Sequence, residues 1–384
     1  MSTVSRMSAT DTILFESVQE SETARIRFYG TDIFVSYQEI SGINNRCSFQ
    51  DILRYGNRDN LELYWNQFKN TFDRHKSINR YLTDTCYFGN FQLVKYLIGK
   101  WNADPRAWGN SIVQASVSGN LHLVKYLIEI WGMDPRADNN NPILKASEAG
   151  YIELVQYLVK VGADPKTNNN KPIILASCCS NRQGNDVCIR LVKYLVKHGA
   201  DPRARDDNPL LMASTNGNYE LVKYLVEECG AEPRLHNEAI VRASRNGYLR
   251  IVKYLVSWGA DPRARYDGPL IGASSLKTDQ DKLAIIEYLL MLGADPKSWD
   301  NSAIISASIR GDLQAVKCLV SWGANPRAQD DEPIINACRF GNLELVQYLV
   351  EKCGVDPRAQ DDKPIVMASH FKNHTIQEYL KSFE

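Results

Sequence analysis

A chain of 384 residues in which Lys plus Arg and Asp plus Glu each number 45 carries no formal net charge, and so no global attraction for nucleic acid or an acidic membrane. Its 44% hydrophobic and 23% charged residues are those of a folded soluble chain, and no stretch approaches the roughly 18 consecutive apolar residues of a membrane span. Met1–Glu20 shows no basic start followed by an apolar run, which argues against a secretory signal.

Residues 1–12 are rich in Ser and Thr and are expected to be disordered. Arg25–Ile40 is rich in Ile, Phe, Tyr and Val and is expected to form a strand pair around Gly30-Thr31. Residues 46–77 read as a degenerate unit. Tyr55-Gly56-Asn57 followed by Leu61-Glu62-Leu63-Tyr64-Trp65 echoes Gly341-Asn342-Leu343-Glu344-Leu345-Val346.

From residue 78 onward the chain repeats itself. A proline after Asp, Glu or Asn recurs at 105, 135, 165, 202, 233, 262, 296, 326 and 357, a period of about 30 to 31 residues. Two insertions, in Cys178–Arg190 and Ser275–Lys282, lengthen it locally. A second proline column follows seven residues later, and the two columns hold all 15 prolines. Three residues before each first-column proline stands Gly, or Asn at 102, which suits the left-handed end of a helix. Upstream lie apolar blocks such as Leu221-Val222-Lys223-Tyr224-Leu225, with apolar positions on one helical face. Before these stand another glycine and a shorter helix carrying Ala then a small residue, as in Ala213-Ser214 and Ala243-Ser244. Each unit therefore reads as loop, short helix, glycine turn, longer helix, glycine stop, Asp-Pro. One unit is too thin to bury its own apolar face, and stacking supplies the core. Residues 362–384 place Ile376, Tyr379 and Leu380 on one face with no further Gly-Asp-Pro, and read as the closing cap.

These columns resemble the ankyrin repeat. Asn141-Pro142-Ile143-Leu144-Lys145-Ala146 stands where that family has Thr-Pro-Leu-His-x-Ala, and Gly162-Ala163-Asp164 stands at its Gly-Ala-Asp. The resemblance covers residues 78–384. It implies an all-α, elongated and curved ankyrin-repeat solenoid of stacked helix-turn-helix units, with nine repeats over 78–361 between the two caps. The units are shorter than the family's usual 33 or so residues, so the loop finger is expected to be shortened. The family's Thr and His are absent, so their hydrogen bonds must be replaced or lost. The abundance of Asn, Tyr, Ile and Lys with the Asp-Pro-Arg signature resembles the expanded ankyrin families of giant DNA viruses.

A catalytic constellation must be unique, and the conspicuous residues here recur as scaffold. No catalytic residue, cofactor or metal is expected. His370 and His374 stand four apart but read as surface histidines, and Cys178, Cys179 and Cys188 lack paired Cys-x-x-Cys spacing. The nine scattered cysteines read as reduced thiols of a cytoplasmic or nuclear protein. The basic column after Asp-Pro (Arg106, Arg136, Lys166, Arg203, Arg234, Arg263, Lys297, Arg327, Arg358) has two readings. It is either a ladder for phosphate or an acidic partner, or it pairs locally with acids such as Asp206, Asp207, Asp330, Asp331, Asp361 and Asp362, which follow within a few residues. Those acids favour local pairing. The tyrosines of the second helices read as inter-repeat packing.

Three residues after each first-column proline the identities scatter on an otherwise uniform scaffold: Trp108, Asp138, Asn168, Arg205, His236, Arg265, Trp299, Gln329 and Gln360. A position free to vary is a surface position, and Trp and Arg there are interface types. The resemblance places these fingers and first-helix residues such as Arg242, Arg245 and Arg339 on a concave binding face. The reading is therefore a monomeric, non-enzymatic scaffold that binds a protein partner through Trp108, Arg205, His236, Arg242, Arg245, Arg265, Trp299 and Arg339. One alternative is an adaptor in which residues 1–45 recruit machinery such as a ubiquitin ligase. Another is a nucleic-acid binder, whose affinity would fall steeply with salt.

Overall fold

The computed structural model describes residues 14–16, 23–28, 31–36, 54, 56, 74–107, 110–178, 185–235, 237–276 and 281–383. The expected disordered start (1–12) lies outside them, as does all but a few residues of the degenerate unit (46–77). The chain divides into two compact units, 1–172 and 173–384.

The first unit opens with an antiparallel sheet of order β1 (Leu14–Glu16), β2 (Thr23–Phe28), β3 (Thr31–Ser36), in which Phe28 pairs with Thr31. The β2–β3 pair falls where aromatic and β-branched residues pointed to strands; β1 adds a third. Helical hairpins follow: α1 (Arg74–Phe88) with α2 (Phe91–Trp101), α3 (Ser111–Ser118) with α4 (Leu121–Glu129), and α5 (Ala137–Ala149) with α6 (Ile152–Lys160). Helix α7 (Thr167–Ala176) crosses the division at Pro172.

In the second unit α8 (Asn185–Lys197) is followed by α9 (Ala204–Thr215) with α10 (Tyr219–Glu227), and by α11 (Glu238–Arg245) with α12 (Leu249–Ser257). Then come α13 (Ala264–Ser274) with α14 (Lys282–Met291), and α15 (Ser298–Arg310) with α16 (Leu313–Ser321). The last pairs are α17 (Ala328–Arg339) with α18 (Leu343–Glu351), and α19 (Ala359–His370) with α20 (His374–Lys381). Within this unit each first helix, from α9 on, packs on the next first helix and each second helix, from α8 on, on the next second helix.

Stacking is close because the facing side chains are small. Ala213, Ala243, Ala273, Ala307 and Ala337 are fully buried in successive first helices. Ser274 and Ser308 beside them return their hydroxyls to the carbonyls of Leu270 and Ile304 at 2.8 Å, so these buried donors are satisfied. The second helices insert Leu221, Val222 and Leu225, or their counterparts, and leave Lys223 outside. Each fully buried leucine contributes about 1.5–3 kcal/mol, and the stack is the sum of such layers.

The loops are polar devices. Asp261 Oδ1 accepts from the N–H of Arg263 at 2.8 Å and its carbonyl accepts from Ala264 at 3.1 Å; the other Asp-Pro-Arg copies repeat this turn. Next comes a finger. In seven hairpins three consecutive residues adopt the left-handed conformation, for example Arg205 (φ 52), Asp206 (φ 58) and Asp207 (φ 55). The finger is thus shortened, as expected, to a single left-handed turn.

Its third residue is Asn or Asp in all seven, and in four of them the side chain accepts from the backbone of the following unit. Asn140 binds the N–H of Asp164 at 3.1 Å, Asp267 that of Asp295 at 3.2 Å and Asn301 that of Asn325 at 2.8 Å. Such a lash from one repeat to the next stands in for hydrogen bonds the missing Thr and His would have made. Replacing Asp207 by Ala removes the acceptor for Glu232 N–H (3.3 Å), the partner of Arg203 (3.1 Å) and a residue that tolerates the left-handed region. Urea melts should show a loss of about 2–3 kcal/mol. Asp207→Asn, which only copies other units, should cost under about 1 kcal/mol.

A second lash starts at the asparagine in the cap position of several of the second helices. Asn120 accepts from the N–H of Leu123 and donates its Nδ2 to the carbonyl of Gly89 in the previous hairpin at 2.8 Å. Asn90 does the same toward Gly56, and Asn373 donates its Nδ2 to the carbonyl of Cys338 without capping its own helix. At α16 the cap is Asp312, which accepts from Ala315 N–H but has nothing to donate. Lys282, at the end of the second insertion, makes up for this. Its ammonium donates to Leu276 O and meets Asp312 Oδ2, both at 2.7 Å, with only 2% of the side chain exposed.

One expectation about thiols needs correction. Cys86, Cys178, Cys229, Cys318, Cys338 and Cys353 are free, but Cys188 is disulfide-bonded, and its partner lies outside the described residues. Cys188 lies in the first insertion, where cysteines crowd together in sequence and the general argument from irregular spacing does not apply.

Candidate functional site

The left-handed conformation costs most side chains roughly 1–2 kcal/mol, and Asn and Asp tolerate it best. Among the finger residues six are neither: Arg205, Arg265, Tyr266, Trp299, Gln329 and Gln360. Four have a local partner. Gln329 donates to Asp300 O at 3.2 Å and Gln360 to Asp330 O, each lacing its finger to the one before. Arg265 is ion-paired with Glu238, and Arg205 is also engaged. The side chains of the remaining two, Tyr266 and Trp299, meet each other, while their backbone carbonyls accept from Ser298 Oγ and Ser302 Oγ. Their ring centroids are 6.4 Å apart, and they stand 78% and 67% exposed on neighbouring fingers. Nothing in the fold requires them there.

Beside this pair the row of fingers is interrupted. The unit entering α11 is the shortest in the array, and Asn237 sits at φ −62 where other units turn left-handed. Here lies a pocket of about 280 Å³ lined by Asp206, Leu235, Asn237, Glu238 and Arg265 among others. Glu238 at its floor is held from two sides, by Arg265 and by Arg242 Nε at 2.8 Å. Leu235 is exposed nearby. The result is an aromatic pair and an aliphatic side chain around a polar notch, the mixture found at the centre of protein interfaces.

The structure therefore brings Arg242 and Arg265 together through Glu238, sets Trp299 on Tyr266, and places Arg205 next to pocket-lining Asp206. Arg245 lies apart, with its Cβ against Gly272 of the next first helix. Arg339 stands at the far end of α17 beside Phe371. Trp108 and His236 lie outside the described residues. Sequence reasoning missed Tyr266, Leu235 and Glu238. Tyr266 had a usable signal: it is the single aromatic in a column otherwise filled by Asn139, Asn169, Asp206, Asp300, Asp330 and Asp361.

Most of the basic column is consumed locally. Arg203, Arg263, Arg327 and Arg358 each reach the Asp four residues on, at 3.1, 3.5, 3.2 and 2.7 Å. Arg136 pairs with Asp134, Arg234 with Glu232, and Arg106 donates to the carbonyl of Trp131. The Arg234 guanidinium, with Arg203 beside it, holds the Glu232 carboxyl below the ordinary value. Charge already neutralised at contact distance leaves little for phosphate.

The tyrosine column packs between units. Tyr157 donates to Glu129 at 3.0 Å and Tyr254 to Glu227 at 3.1 Å, while Lys125 and Lys193 lie over the rings of Tyr157 and Tyr224 in the following hairpins. Burial, with the Glu129 carboxylate, pushes the Tyr157 hydroxyl up to about 12. Burial likewise raises the thiols of Cys86, Cys229, Cys318 and Cys353, and that of Cys338 to about 12, away from the reactive thiolate. Among the described residues no group of three His, Cys, Asp or Glu side chains could hold a metal ion, and no helix is long and apolar enough to cross a membrane.

A family model described as ankyrin repeats (3 copies) matches residues 82–169, 174–266 and 271–361. No curated protein matches the chain.

Proposed function

Since the chain belongs to the ankyrin-repeat family, whose repeats are generally protein-interaction modules, we propose that this protein is a non-catalytic scaffold that holds a partner protein on the fingers of residues 205–207, 265–267 and 299–301. The observation that carries this reading is the pair Tyr266 and Trp299. They occupy a backbone conformation unfavourable to both, are widely exposed, and their rings pack against each other. Local strain without a structural return is a mark of functional surface. Aromatic anchors beside a polar notch make a hot spot, with Arg242 and Arg265 pre-ordered by Glu238 so that little side-chain freedom is lost on binding.

The test is affinity capture by the full chain from cell lysate, read by mass spectrometry, against a Tyr266→Ala, Trp299→Ala double variant. A specific partner should be enriched by the wild type and reduced at least about tenfold by the variant, as hot-spot truncation of 2 kcal/mol or more implies. A partner retained equally by both would remove the fingers from the site. Recovery of nucleic acid that washes off steeply with salt would replace the reading altogether.

A further inference from the structure

At the opposite end of the first helices lies a second patch of a different kind. In the last three hairpins the C-terminal turn of the first helix exposes Ile309 (37%), Phe340 (51%) and Phe371 (45%). The first hairpin carries Phe88 at the position of Phe340 and Phe371 and Tyr87 at that of Ile309, but later ones carry Ser118, Ala149, Asn216 and Asn246 at the former and Val117, Glu148, Thr215 and Arg245 at the latter. The position accepts small polar side chains without harm to the fold, so packing does not demand the phenylalanines.

Single exposed apolar residues are common and need no explanation. Phe340 and Phe371 are in register with each other and with Arg310 of α15, and Ile309, one residue earlier, is in register with Arg339 and His370. Helix α15 packs on α17 and α17 on α19, so equivalent positions stand side by side at about the 8–10 Å spacing of packed helices. From Ser302 to Arg310 the helical part of α15 spans about 12 Å, which separates this ledge from the finger patch at the other end of the same helix.

The charge around the ledge has one sign. Arg310 donates Nε to Ser275 O and keeps its positive charge at the rim. The guanidinium of Arg339 lies 5.4 Å over the ring of Phe371, and the His370 ring meets the same phenylalanine edge-on at 4.9 Å. Lys372 follows, exposed. From the second helices two acids approach: Asp312, already neutralised by Lys282, and the exposed Glu344. A cation over an exposed aromatic face, with Arg310 and Lys372 nearby and Asp312 already neutralised, complements an apolar segment bearing carboxylates.

We propose that this ledge is a second docking surface, separate from the fingers, and that its occupant is an acidic, apolar segment of a partner protein. Isoleucine and the two phenylalanines take the segment's apolar side chains, while Arg310 and Arg339 take its carboxylates.

The probe is a random 16-residue peptide library displayed on phage. It is panned on the full chain and counter-selected on a Phe340→Ser, Phe371→Ser variant. Peptides rich in Asp or Glu together with Leu, Ile or Phe should be enriched. Their labelled synthetic forms should bind at least tenfold more weakly to that variant and to Arg339→Glu, with unchanged affinity for the Tyr266→Ala, Trp299→Ala variant. Arg339→Glu leaves the apolar surface in place, so a folding defect of the serine variant would not hide the result. Enrichment of basic or neutral peptides, of peptides indifferent to both ledge variants, or of none at all would overturn the proposal. So would a dimer in sedimentation that the serine variant abolishes, because the occupant would then be a second copy of the chain.

Discussion

Lys282→Met should destabilise the second unit by about 3–5 kcal/mol, the cost of stranding one charge of a buried pair. The ammonium has two tasks: it satisfies the carbonyl of Leu276 and neutralises Asp312, which caps α16 and is itself half-buried. Methionine fills a similar volume and performs neither. The double variant Lys282→Met, Asp312→Asn should regain most of the loss. An asparagine cap is what most other second helices carry, and its Nδ2 can serve the carbonyl that lysine served. Urea titration of the three proteins measures this, and a double variant no better than the single one would contradict the assigned role.

The same pair sets a dependence on pH. Burial pushes the Asp312 carboxyl up, but the N–H of Ala315 and the Lys282 ammonium more than offset it, and the folded value lies below the ordinary 3.8. A carboxyl depressed in the native state contributes stability above its unfolded value and loses it as pH falls through the folded one. The wild type should therefore weaken more steeply than the double variant below about pH 4.

Gly217→Ala should cost about 2–5 kcal/mol, although it adds only a methyl group. The residue turns α9 into α10 at φ +75, which costs a non-glycine residue roughly 1–2 kcal/mol. An added Cβ would also lie 2.4 Å from the Tyr248 ring of the next hairpin, an overpacking worth about 1–3 kcal/mol more. Adding Tyr248→Ala, which removes the ring, should return the steric share and leave the backbone share. By contrast Gly230→Ala, also left-handed at φ +72 but with nothing near its Cβ, should lose only the smaller amount. Thermal melts of the three variants separate the two contributions, and equal losses at Gly217 and Gly230 would show that the ring yields freely.

The repeat was legible because each column reports a local necessity: glycine where a helix must end left-handed, proline where a turn must start, alanine where two helices touch. The candidate surface was legible only in part. Trp299 and Arg265 stood out by varying on a uniform scaffold. Glu238 did not, because its importance comes from two arginines that reach it from different units. The aspartates after each Asp-Pro-Arg were visible as neutralising acids, but their second task of fastening the following repeat depends on a left-handed turn that neither proline column announces. Cys188 was misread because a rule about spacing along the chain says nothing of which thiols the fold brings together.

The two kinds of fastening at the second-helix caps bear on how such a chain can change over generations. A unit that ends in a glycine turn and begins its second helix with asparagine fits before or after any other of its kind, so copies can be gained, lost or exchanged with little harm. The joint of Lys282 with Asp312 admits one neighbour only. Move either hairpin and one partner meets an amide, leaving a charge without an answer. Recombination would be free on both sides of that joint and penalised across it, so the two hairpins it fastens should be inherited as a pair.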